Sequence, residues 1–139
     1  MATARLPRSE PLVARAMAPG LAILAVSQLV LAAWMVVDPA SFFDNVGGFG
    51  ARNDHYLRDV ATFEAALGVC ALMAVRRPSW RVPVLAFAVV QFALHAINHV
   101  ADATDAVGST NGWADAVELA IGGALWVWLL AGALREERR

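Results

Sequence analysis

The residues best equipped for chemistry lie in Gln91-Phe-Ala-Leu-His95-Ala-Ile-Asn98-His99-Val-Ala-Asp102. Residues three and four apart share a helix face, so Gln91, His95, Asn98, His99 and Asp102 form one polar stripe on an otherwise apolar rod. Two imidazoles at i, i+4 can offer two nitrogens to a single metal ion. His55 and Asp59 repeat that spacing earlier in the chain. Together His55, Asp59, His95 and His99 make a ligand set that suits Zn, or Cu(II), Ni or Fe(II) with an open position. Asn98, Asp102 and Arg58 are then the groups to orient the ligands. Glu64 and Glu118 are the candidates for acid–base work.

Glu64 stands apart from the metal set. A helix turns about 100° per residue, which puts Glu64 nearly opposite His55 and about 140° from Asp59. Its own face carries the small residues Ala61, Gly68 and Ala71, which permit close helix packing. An acid there calls for a partner, either Arg58 or a histidine of the following helix. Two other readings of the polar residues stay open on the sequence. One is an electron-transfer protein linked to quinone or to a haem held by His55 with His95 or His99. The other is a non-enzymatic accessory or structural subunit, in which the polar residues merely fasten helices together.

The elements that position these residues follow from composition. The chain of 139 residues is 59% hydrophobic, with a mean hydropathy of +0.55. Its sparse charges fall in blocks, as in an integral membrane protein of one domain. All eleven basic residues are arginine, a coding bias. No basic run interleaved with aromatics is present, which excludes nucleic acid as a partner. Cys70 is the single cysteine, so no intrachain disulfide forms, and it reads as a small buried hydrophobe.

Residues 1–16, with Pro7 and Pro11 among their charges, read as a poorly ordered or interfacial arm. The apolar run Ala18–Val37 is as long as a bilayer span (~20 residues) and exceeds a signal-peptide core (~7–15), so it reads as a first transmembrane helix with Pro19 in its opening turn. Asp38-Pro39 ends it, and Phe42–Gly50 has turn chemistry, with phenylalanines folding back onto the interface. Asn53-Asp54 is the expected N-cap of the second helix, which Glu64 interrupts and Arg76-Arg77-Pro78 stops. The expected spans are about 18–37, 57–75, 82–100 and 114–134. The tryptophans read as an aromatic belt, and Gln28 as a hydrogen bond between helices.

Arginines 5, 8, 15, 76, 77, 81, 135, 138 and 139 lie on one side of these spans, against Arg52 and Arg58 on the other. The positive-inside rule then gives an all-α integral membrane four-helix bundle over 1–139, with both termini in the cytoplasm. The expected location is the bacterial cytoplasmic membrane. Expected partners are the lipid bilayer and further copies of the chain or a larger membrane complex. With this topology His55, Asp59, His95, His99, Asp102, Asp115 and Glu118 all gather toward the outer side. Ionisable groups within a span are costly and normally face the bundle interior, so a polar site between the second, third and fourth spans is expected.

Asn53-x-His55-x-x-Arg58-Asp59, Ala66-Leu-Gly68 and His95-x-x-x-His99 together resemble a group of small four-span bacterial membrane proteins, similar in overall form to the DoxX-like superfamily. The resemblance covers residues 38–102. It implies redox or quinone-related chemistry at the level of a superfamily, and it carries no established site residues. This sequence has neither a cysteine pair nor a flavin fingerprint to accompany that chemistry.

Overall fold

In the computed structural model, which describes residues 11–138, the first helix shows the logic of the whole molecule. Helix α1 (Leu12–Val37) buries Met17, Leu21, Leu24, Gln28, Ala32 and Met35, a stripe stepping by three and four. Its opposite face is equally apolar and exposes Ile23, Val26 and Val30. A helix that is apolar all round belongs in a core or in lipid. The part of the expected N-terminal arm in residues 1–10 lies outside the described residues. Residues 12–16 are helical, so Pro19 sits two turns inside α1 and not at its start.

Five α-helices and one 3-10 turn make up the described chain. After α1 come α2 (Pro39–Asn45), α3 (Asp54–Arg76), the turn Pro78–Trp80, α4 (Arg81–Ala101) and α5 (Gly112–Glu137). No strand occurs among the described residues; the one β-type pairing is an isolated bridge. Three segments are long and apolar enough to cross a membrane: Leu12–Val37, Pro78–Ala101 and Gly112–Glu137. Helix α3 has the length but not the apolarity, because His55, Arg58, Asp59 and Glu64 crowd its first half. The sequence expectation of four spans is therefore met by composition in three.

Local signals start and stop these helices. Asn53 caps α3 by accepting hydrogen bonds from the backbone N–H of His55 (3.1 Å) and Tyr56 (3.3 Å). Asn111 does the same for α5 through the N–H of Ala114. Residues 39–45 are helical rather than a turn. Asp38 accepts from Ser41 N–H, and Pro39 takes the first helical position, where its missing N–H costs nothing. Phe42 on this short helix is buried against Trp34.

Helix α1 packs chiefly on α3, and α4 on α5; contacts of α1 with α5 and α3 with α4 join the two pairs. Gly68 lets α1 and α3 approach, since a Cβ there would lie 2.8 Å from Leu29 Cγ and 3.1 Å from the Ala25 carbonyl oxygen. One end of the molecule is a solid core of Met17, Leu21, Leu24, Leu85 and Leu129, all essentially inaccessible. A smaller cluster of Ala32, Met35, Phe42 and Ala61 marks the opposite end. Between that cluster and the ends of α4 and α5 the molecule is hollow.

A polar cavity at one end of the helices

The hollow is a cavity of about 520 Å³ to which every long helix contributes. Helix α4 supplies the polar stripe: Gln91, His95, Asn98, His99 and Asp102 all line it. The three-and-four spacing that put them on one face in the sequence therefore turns them to one space. Helix α5 adds Asp115 and Glu118, one turn apart, and then Leu119 and Trp126. Helix α3 contributes Glu64 from its buried face, beneath Leu57 and Val60. Helix α1 closes the fourth side with Ser27, Gln28, Leu31 and Met35.

The two imidazoles converge. Nε2 of His95 lies 3.0 Å from Nε2 of His99, with the rings edge to face. On the far side of His99, Nδ1 stands 4.0 Å from Oδ2 of Asp115. Neither of these two atoms has a hydrogen-bond partner among the described residues, so the pair face each other across a slightly long gap. An Asp115 carboxylate there favours a proton on Nδ1 of His99, which leaves its Nε2 lone pair aimed at His95. Phe49 packs edge-on against His99, with ring centroids 4.8 Å apart.

The inner end of the cavity is organised around Glu64, which is 8% exposed. Gln28 of α1, 3% exposed, donates from Nε2 to Oε2 of Glu64. Gln91 of α4 donates from Nε2 to Oε1 at 3.5 Å. A chain of three side chains thus ties α1, α3 and α4. No arginine or histidine nitrogen pairs with Glu64 among the described residues. The partners expected from sequence, Arg58 or a histidine of the next helix, are replaced by two amides.

A roof covers the outer end. The connection after α2 brings Val46, Gly47 and Phe49 to the cavity. It is stitched to the connection between α4 and α5 by an antiparallel bridge of Phe49 with Ala106. Val107 N–H donates to the Gly48 carbonyl at 2.7 Å, and Gly48 N–H to Thr110 Oγ1 at 3.1 Å. Ser109 Oγ donates to the Asp44 carbonyl at 2.7 Å. A side chain at Gly48 would meet the Val107 oxygen at 2.5 Å, so the crossing demands glycine. Gly108 takes φ +68°, the left-handed turn that lets this loop double back.

The sequence-expected ligand set divides here. His95 and His99 line the cavity; His55 and Asp59 do not. The latter pair with each other at 3.4 Å on the outside of α3, with side chains 82% and 55% exposed. Arg52 pairs with Asp54 at 3.0 Å and is likewise outside. Among the described residues no three of His, Cys, Asp and Glu gather closely enough to hold one ion. Both acid–base candidates, Glu64 and Glu118, line the cavity, at its inner end and its α5 wall.

Gln28 makes the expected hydrogen bond between helices, to Glu64, while Trp126 is the member of the site to which sequence reasoning assigns no chemistry. Gln28 had a signal, being the one polar residue in the buried stripe of α1. Trp126 was grouped with a surface belt, yet it is 3% exposed, packed edge-on to Phe92, with Nε1 unpartnered among the described residues. Its sequence neighbour Trp128 points outward, and spacing alone does not separate the two.

No family model, curated protein or solved structure was found to match the chain. What the site can do rests on its own residues.

Proposed function

We propose that the chain is a multi-pass protein of the bacterial cytoplasmic membrane whose outer half binds a divalent transition metal between His95 and His99. In this reading all four long helices cross as a bundle, with both termini inside, as the arginine distribution directs. Helix α3 crosses with them because Glu64, its one acidic or basic residue between Asp59 and Arg76, turns inward. Its outward face carries Phe63, Val69 and Leu72. Average hydropathy counts Glu64 against α3, although Glu64 would never meet lipid.

One observation carries the metal assignment: the 3.0 Å separation of the two Nε2 atoms. With metal–nitrogen bonds of about 2.0–2.1 Å, that spacing sets an angle of roughly 95° at the ion, suitable for neighbouring ligands. Imidazole suits Zn, Cu and Fe. Asp115 stands behind His99, with Oδ2 4.0 Å from Nδ1, and favours the tautomer that leaves Nε2 free for the ion. Two imidazoles leave open positions on the cavity side, so the ion is held for a further ligand and is not sealed in. A haem held by His55 with His95 or His99 is disfavoured, since the His55 side chain is 82% exposed on the outside of α3 whereas His95 and His99 line the cavity. We assign binding, not a reaction.

Metal analysis of protein purified without chelators tests this. About one equivalent is expected in the wild type, with none in a His95→Ala/His99→Ala variant that keeps its helical circular dichroism. Metal-free wild type that takes up none of Zn, Cu(II) or Fe(II) on titration would sink the proposal. A second reading, an accessory subunit fastened by its polar layer, is favoured by the Gln28–Glu64–Gln91 link. It gains if metal is absent and Glu64→Leu unfolds the protein.

A further inference from the structure

The charge balance of the cavity points beyond a metal ion. Four carboxylates line it, Glu64, Asp102, Asp115 and Glu118, and no arginine does among the described residues. Asp115 at least faces an imidazole. Glu64 has hydrogen bonds from two amides but no opposite charge. Amides satisfy a carboxylate's lone pairs but do not neutralise it, and an opposite charge beside a buried carboxylate stabilises its charged form further.

Two atoms of the cavity lining are also left over, one of them on Gln91, which bonds Glu64. Oε1 of Gln91 is a buried acceptor without a donor, and Nε1 of the fully enclosed Trp126 is a donor without an acceptor. The cavity walls are largely aromatic and aliphatic, with Phe92 packed edge-on to Trp126. Mostly apolar walls, a few converging polar groups and a volume of about 520 Å³ fit one small organic molecule. Its head must bring positive charge and N–H donors for Glu64 and Gln91, with an acceptor oxygen for Trp126. Its body must be apolar, and an aromatic wall favours a cation nearby.

We infer that the inner end of this cavity binds an amphipathic amine, as its ammonium cation, with Glu64 as the counter-charge. Along α4, His95 and His99 stand about 6 and 12 Å beyond Gln91, so an ammonium at Glu64 and Gln91 lies at least one helical turn below the imidazoles. The inference goes beyond the metal reading and uses a different end of the same cavity.

Equilibrium dialysis in nanodiscs, with protein-free nanodiscs subtracting lipid partition and a chelator removing metal, tests it with 4-phenoxybutylamine. Pentoxybenzene is the control, of the same shape with a methyl group in place of the ammonium. Saturable binding of about one amine per chain is expected, with no saturable binding of pentoxybenzene. Glu64→Gln, which keeps the shape and the hydrogen-bonding reach, should weaken the amine by about tenfold or more, the loss of a charge-assisted bond. Equal binding of amine and control, no saturable amine binding, or a Glu64→Gln variant that binds as wild type each overturns the inference. The comparison of the two compounds on wild type holds even if the variant fails to fold. With metal chelated throughout, failure here leaves the metal titration untouched, and failure of that titration leaves this one standing.

Discussion

The two ends of this molecule are built from the same four helices and are opposites. At one end Leu21, Leu24, Leu85 and Leu129 fill the space among the helices completely. At the other the same helices present Gln28, Glu64, the α4 stripe and Asp115 to a cavity under a two-loop roof. Each helix is therefore half structural and half site-bearing, and the change falls near Gln28 on α1, Glu64 on α3 and Gln91 on α4. The solid end fixes the helices in position. That rigidity allows polar side chains at the hollow end to face one another without collapsing onto each other.

The largest expected effects lie at the solid end. Leu129→Ala should destabilise the protein by about 3 kcal/mol, because Leu129 has no room-filling substitute beside Gly20, whereas Leu119→Ala on the cavity wall should cost less than about 1 kcal/mol. Reversible unfolding in mixed micelles measures both, and equal losses would break the contrast. Next comes the link between the ends. Gln28→Leu removes a donor from Glu64 and should cost about 1–3 kcal/mol, while Gln28→Leu/Glu64→Leu should recover most of it. A double variant as unstable as the sum of its parts would show that the link is not what couples α1 to α3.

Smaller effects are expected at the roof and outside. Gly48→Ala pushes a methyl group against the Val107 carbonyl and should cost about 1–3 kcal/mol, read locally as faster amide exchange at Val107. Exchange that stays at the wild-type rate would mean the two loops do not depend on each other. Last, His55→Ala and Asp59→Ala should each change stability by no more than about 0.5 kcal/mol and leave metal content alone, since their pair is exposed. Loss of metal from either variant would restore them to the ligand set and redraw the boundary of the site.

The helical content, the apolar character and the single face shared by Gln91, His95, Asn98, His99 and Asp102 were legible in the sequence because they depend on local periodicity alone. So was the separation of Glu64 from His55 and Asp59, which follows from the pitch of one helix. Even the cap at Asn53 acts within a few residues. What only the tertiary structure decided is which faces meet. It brought Gln28 from α1 and Trp126 from α5 to the cavity and left His55 and Asp59 outside. It also folded a loop expected to be a turn into a short helix and a roof. These outcomes depend on how closely α1 and α3 approach at Gly68, on how closely the two loops cross at Gly48, and on contacts between residues some sixty positions apart. Spacing along one helix carries no record of its rotation about its neighbours, and that rotation separates the cavity-lining His95 and His99 from the exposed pair of His55 and Asp59.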